Sequence, residues 1–93
     1  MTDITKIYLV SKPSKSGDVL LQGFESQLDA ERYCINYLYD KSTREDRNNS
    51  NGVQRTEYSG GYIDFYIYTN EFGNLTLTVK ELPFKREPFW NCY

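Results

Sequence analysis

The chain has 93 residues, with 11 basic and 13 acidic side chains and a net charge of -2. A chain of this length forms one domain around a single modest core, and it needs neither disulfides nor a structural metal to do so. A nearly neutral protein gains little from neutralising phosphates, so the composition disfavours a nucleic-acid partner.

The sequence shows no targeting or metal-binding pattern. Residues 1–6 have no basic segment followed by an apolar one, and no window approaches the roughly 18 apolar residues of a membrane span, so we expect a cytoplasmic protein without membrane contact. The chain has no histidine, and Cys34 and Cys92 are its only cysteines. We therefore expect no metal site, no disulfide framework and no cofactor, with Cys34 as a small buried side chain.

The first half of the chain predicts a β-hairpin followed by a helix. Apolar residues dominate 6–10 and 19–24, and turn-forming residues separate the two predicted strands, 6–10 and 18–24. Ser26 suits a helix N-cap, so we expect the helix to begin near Gln27. At helical spacing one apolar stripe faces the sheet, formed by Ala30, Cys34, Tyr37 and Leu38.

The second half predicts a polar loop and another hairpin. The segment 41–61 is strongly polar and is interpreted as the end of the helix and a long loop. From Tyr62 the pattern alternates, so that Ile63, Phe65 and Ile67 share one face of a strand, and the run 75–79 supplies its partner. The predicted fold is a single α+β domain of order β-β-α-β-β, a four-stranded, mostly antiparallel sheet with one helix on one face.

The other face of the third predicted strand, here called the tyrosine face, carries Tyr62, Asp64, Tyr66 and Tyr68. Two interpretations stay open: the rings pack over Thr76, Thr78 and Lys80, or they bind a partner, because tyrosine buries much area at low entropic cost. No basic platform accompanies the strand, so RNA is disfavoured. A small nucleotide could stack on the rings with Lys80, Arg55 or Arg44 holding a phosphate.

Catalysis has little support in the sequence. Without histidine, a general acid or base would have to be a carboxylate, lysine or tyrosine with a shifted pKa. Asp64 is the best single candidate, but a solvent-facing carboxylate of the sheet is the favoured interpretation. We predict that the chain is not an enzyme and has no catalytic residues.

The C-terminal segment 82–93 is predicted to be an aromatic tail. Pro83 and Pro88 argue against a helix or a central strand here. Phe89 and Trp90 require burial, so we expect the tail to fold back over the domain or to contact a partner.

Three successive segments carry a family resemblance: the strand Lys6-Ile7-Tyr8-Leu9-Val10, a second strand ending Gly23-Phe24-Glu25-Ser26, and a helix of the kind Leu28-Asp29-Ala30-Glu31-Arg32-Tyr33. In these residues the chain resembles a recurring type of small phage-encoded protein. The resemblance implies a protein that acts in the host cytoplasm by binding a host protein or neutralising a defence system. It assigns no functional residues.

We therefore predict a non-enzymatic binding protein, an inhibitor or modulator of a larger host protein. The predicted contact residues are Tyr62, Asp64, Tyr66, Tyr68, Phe89 and Trp90. The alternative is a protein that sequesters a nucleotide-like ligand on the tyrosine face, as an oligomer; a small enzyme around Asp64 is a third hypothesis. The sequence leaves the partner and the oligomeric state open.

Overall fold

A computed structural model of the chain describes residues 3–86, with side chains described over 6–83. Along this part of the chain the elements are β1 (Asp3–Lys12), β2 (Val19–Phe24), α1 (Gln27–Lys41), α2 (Arg44–Ser50), β3 (Gln54–Tyr58), β4 (Tyr62–Thr69) and β5 (Gly73–Arg86). The strands pair antiparallel in one sheet of order β2-β1-β5-β4-β3. The predicted α+β class is confirmed, but the described residues form five strands and two helices, where four strands and one helix were expected.

Both additional elements lie in the segment 41–61, which we expected to be a long polar loop. Helix α2 begins with a capping box, in which the Thr43 hydroxyl accepts the Asp46 N–H at 3.1 Å and the Asp46 carboxylate accepts the Thr43 N–H at 3.0 Å. The helix ends at Asn51 in the left-handed conformation, with φ of 59°. Strand β3 follows and pairs with β4.

A second correction concerns the predicted aromatic tail 82–93, because its residues 82–86, Pro83 among them, continue strand β5. The pairing of β5 with β4 ends at Lys80 opposite Tyr62, whereas its pairing with β1 continues to Arg86. The Glu81 N–H still donates to the Gly61 carbonyl at 2.8 Å, and from Leu82 onwards β5 has one paired neighbour among the described residues. Proline is tolerated there because a strand edge does not require its missing N–H.

Helix α1 begins as its sequence predicts. The Ser26 backbone is extended and its side-chain oxygen accepts the Asp29 N–H at 3.4 Å, which confirms the predicted N-cap. Of the predicted apolar stripe, Ala30, Cys34 and Leu38 are buried. These three side chains face the sheet.

The core lies between α1 and one face of the sheet. Its buried apolar residues are Val10, Ala30, Cys34, Leu38, Ile63, Phe65, Ile67, Leu77 and Val79. Strand β4 supplies three of them at alternate positions, as the period-two pattern predicts. Burial in this core raises the pKa of the Cys34 thiol to about 12.

Candidate binding surface

The candidate surface is the sheet face that points away from α1, here called the open face. Alternation along β4 directs Ile63, Phe65 and Ile67 to the core and leaves Tyr62, Tyr66 and Tyr68 on the opposite side. Helix α1 contacts β1, β2, β4 and β5 from the core side. Helix α2 contacts β4 as well, at the end of the strand where the Ser50 hydroxyl donates to the Tyr68 carbonyl at 3.2 Å.

Three of the four predicted contact residues in the described chain are exposed tyrosines on this face. Tyr62 is 40% exposed, Tyr66 38% and Tyr68 56%. Asp64 lies between them and is half-buried. The structure therefore brings the predicted tyrosine face together, whereas Phe89 and Trp90 lie outside the described residues.

Hydrogen bonds and a cation–π contact hold the tyrosine face in place. Thr78 Oγ1 donates to Asp64 Oδ1 at 2.8 Å, and the hydroxyls of Tyr66 and Thr56 are 3.2 Å apart. Lys80 Nζ lies 5.4 Å from the centroid of the Tyr62 ring. The cross-strand packing that the sequence suggested is therefore present, and it leaves more than a third of each of the three tyrosines accessible.

One member of this surface was missed by sequence reasoning. Tyr58 of β3 pairs directly with Tyr62 and is 50% exposed. Tyr58 was not predicted to lie on the open face because the segment that forms β3 was predicted to be a loop. The alternation of Gln54, Thr56 and Tyr58 on one side of the segment was the available signal.

The open face becomes aliphatic on the side of β1 and β2. Ile7 and Leu9 of β1 are half-buried and lie opposite Leu82 and Lys80 of β5. Gly23 of β2 lies under this layer, since a Cβ there would come within 3.2 Å of Leu9 Cδ2. Leu20 extends the apolar surface to the sheet edge and is 60% exposed.

The three predicted phosphate-binding cations are not gathered on the open face. Arg55 points to the core side, where its Nε lies 3.0 Å from Glu31 Oε1 and its guanidinium 3.3 Å from Glu57. Arg44 belongs to α2. Of the three, the open face keeps only Lys80, beside Tyr62.

The core side of the sheet has a cleft of about 300 Å³ at the start of α1. Gln27, Tyr8, Glu57 and Glu81 line it together with the turn between β3 and β4. Burial, followed by the hydrogen bond to Glu81, raises the pKa of Tyr8. Lys6 Nζ lies 3.4 Å from Glu81, and Glu57 contacts Arg55, so both carboxylates already have cationic partners.

Two kinds of feature are absent from the part of the chain that the structure describes. Within it, no three His, Cys, Asp or Glu side chains are grouped as metal ligands. None of its helices is long and apolar enough to cross a membrane.

No protein-family model, curated protein or solved structure matches this chain. The resemblance of its first strands and helix to small phage-encoded proteins therefore stays a prediction.

Proposed function

We propose that this chain is a non-enzymatic binding protein that docks a larger protein on its tyrosine face. The observation that supports the proposal is the set of partly exposed tyrosines on the sheet face opposite the one on which α1 packs. Tyrosine rings on a rigid strand lose little conformational entropy on binding, and their hydroxyls can donate or accept hydrogen bonds at a partner's surface.

The contacts around the tyrosines favour a binding surface over a catalytic one. Asp64 accepts a hydrogen bond from Thr78, and its neighbours on the same face of β4 are Tyr62 and Tyr66. Such a group orients a partner through hydrogen bonds and charge, while the rings supply the buried area. The resemblance to phage-encoded proteins adds that the partner is a host protein, such as a defence component, and that binding inhibits or modulates it.

A second candidate function is supported by the pair Lys80 and Tyr62. A cation 5.4 Å from an exposed ring could hold a phosphate while the ring stacks on a base. This hypothesis predicts that nucleotides raise the melting temperature of the chain. Unchanged melting curves across a panel of nucleotides at millimolar concentration would eliminate it.

The test of the main proposal compares tagged variants in affinity purification from a bacterial lysate, with quantitative mass spectrometry of the eluates. Tyr66→Ala removes a central ring of the tyrosine face, and Tyr39→Ala removes a tyrosine that is 53% exposed on α1. We expect a protein captured by the wild type and by Tyr39→Ala, with capture by Tyr66→Ala reduced at least tenfold. Thermal melting of each variant checks that the fold is retained.

The purified partner then gives the decisive result by calorimetry. A Kd for Tyr66→Ala at least about tenfold above the wild-type value corresponds to about 1.4 kcal/mol and marks a residue that carries binding energy. Equal affinity of the wild type, Tyr62→Ala and Tyr66→Ala for that partner would refute the proposal.

A further inference from the structure

We propose that the chain self-associates when its partner is absent, as a two-fold dimer in which the open faces of two copies pack on each other. The proposal goes beyond the proposed function. Because the same face serves both contacts, a second copy and the partner protein compete for it.

Exposed apolar and aromatic side chains lie on both sides of the open face, at β2 and at β3 and β4. Leu20, Tyr58 and Tyr68 are each at least half exposed, at 60%, 50% and 56%. Leu9 of β1, which is half-buried, adds to the side of Leu20, and β5 places Thr78 and Lys80 between the two sides. A sheet with one face on its own helix and another apolar face is stabilised when that second face packs on another layer, and sheet-on-sheet packing is one of the common solutions.

The open face is complementary in charge to a second copy of itself. Among its described side chains the open face carries one anion, Asp64, and one cation, Lys80. They occupy diagonal positions on neighbouring strands, since Asp64 lies opposite Thr78 and Lys80 lies opposite Tyr62. A two-fold axis between them sets Lys80 of each copy against Asp64 of the other, so the contact forms twice.

The open face is large enough for a dimer interface when all of it is buried. With strands about 4.8 Å apart and a rise of about 3.3 Å per residue, the strand residues within 6–83 present roughly 600 Å² per copy. Two such faces together bury about 1,200 Å², which reaches the lower end of the range for specific protein interfaces, about 1,200–2,000 Å². The part of the open face on β3 and β4, or the part on β1 and β2, would alone fall short of that area.

The test is sedimentation equilibrium of the purified chain over a wide concentration range, with a charge-swap series. Lys80→Glu places a carboxylate against Asp64 of the other copy at both symmetric contacts. We expect this repulsion to raise the dimer Kd at least tenfold. The double variant Asp64→Lys with Lys80→Asp restores opposite charges, and we expect its Kd to return to within about threefold of the wild-type value. Arg32→Glu, the same change of sign at an exposed position on α1, should leave the dimer unaffected.

The proposal is overturned if the wild type is a monomer at the highest soluble concentration, if Lys80→Glu and Arg32→Glu act alike, or if the double variant fails to restore association. Calorimetry with the purified partner distinguishes this failure from failure of the proposed function. A monomeric wild type whose partner affinity depends on Tyr66 keeps the function and loses the dimer. A dimer that passes the charge-swap test, together with no partner whose affinity depends on Tyr66, keeps the dimer and refutes the proposed function.

Discussion

Asp46 uses its two carboxylate oxygens to connect α2 with the turn between β4 and β5. Oδ2 accepts the Thr43 N–H at 3.0 Å and closes the capping box, while Oδ1 accepts the Asn70 N–H at 3.1 Å. The hydrogen bond from Thr43, followed by that from Asn70, holds the pKa of Asp46 below its usual value. A short helix of seven residues with no apolar side chain is thereby fixed to the sheet.

The lowered pKa of Asp46 predicts a pH-dependent contribution to stability. A carboxyl group whose pKa is lower in the folded state stabilises the fold above its unfolded pKa of about 3.9, and this contribution is lost as the pH falls through the folded value. Asp46→Asn keeps one acceptor oxygen and loses the other together with the charge. We therefore expect Asp46→Asn to lower the free energy of unfolding at neutral pH, by an amount that shrinks when the pH is brought below about 3.9.

Urea unfolding at several pH values measures this difference. Asp18→Asn, at an exposed position between β1 and β2, is the matched control and should follow the wild type throughout. A stability loss in Asp46→Asn that stays the same across the whole pH range would show that shape, and not the charge, determines the role of Asp46.

Adjacent residues of strand β4 alternate between the core and the surface, so substitutions at neighbouring positions should differ in their effect on stability. Phe65 is 1% exposed and belongs to the core, whereas its neighbour Tyr66 is 38% exposed on the open face. Phe65→Ala leaves a cavity and should cost about 3–5 kcal/mol of unfolding free energy. Tyr66→Ala removes cross-strand contacts alone, and its cost should stay below about 1 kcal/mol.

Chemical denaturation at concentrations where the chain is monomeric tests this pair. Comparable losses for Phe65→Ala and Tyr66→Ala would mean that β4 is buried on both sides within one chain. That result would remove the tyrosine face as a binding surface.

The elements that the sequence predicts correctly are those with a clear local pattern of apolar residues or a clear capping residue. Alternation predicts β4, and Ser26 with its following stripe predicts α1. Helix α2 was missed because it has no apolar stripe, although Thr43 and Asp46 have the spacing of a capping box. Strand β3 was missed because most of its residues are polar, and Tyr58 was missed with it.

At the scale of the whole molecule, the sheet is closed by a pairing that no local pattern predicts. The first strand lies beside the last, with Val10 opposite Val79, so the two hairpin regions form one sheet. Local patterns predict strands and turns, but they do not specify which distant strands meet. The same limit applies to the candidate site: alternation predicts a tyrosine face, while its exposure depends on α1 packing on the opposite face of the sheet.

The strand order also predicts how the molecule opens. Breaking β1, β5 or β4 out of the sheet disrupts two ladders and exposes core residues such as Val10 and Val79, whereas β2 and β3 each have one paired neighbour in the described chain. Native-state hydrogen exchange should therefore give the highest protection in the paired amides of β1, β4 and β5, and lower protection in β2 and β3. Protection of β3 equal to that of β5 would contradict this order of opening. The measurement is repeated with Lys80→Glu, because protection that self-association contributes falls in this variant while protection from the monomer's own ladders persists.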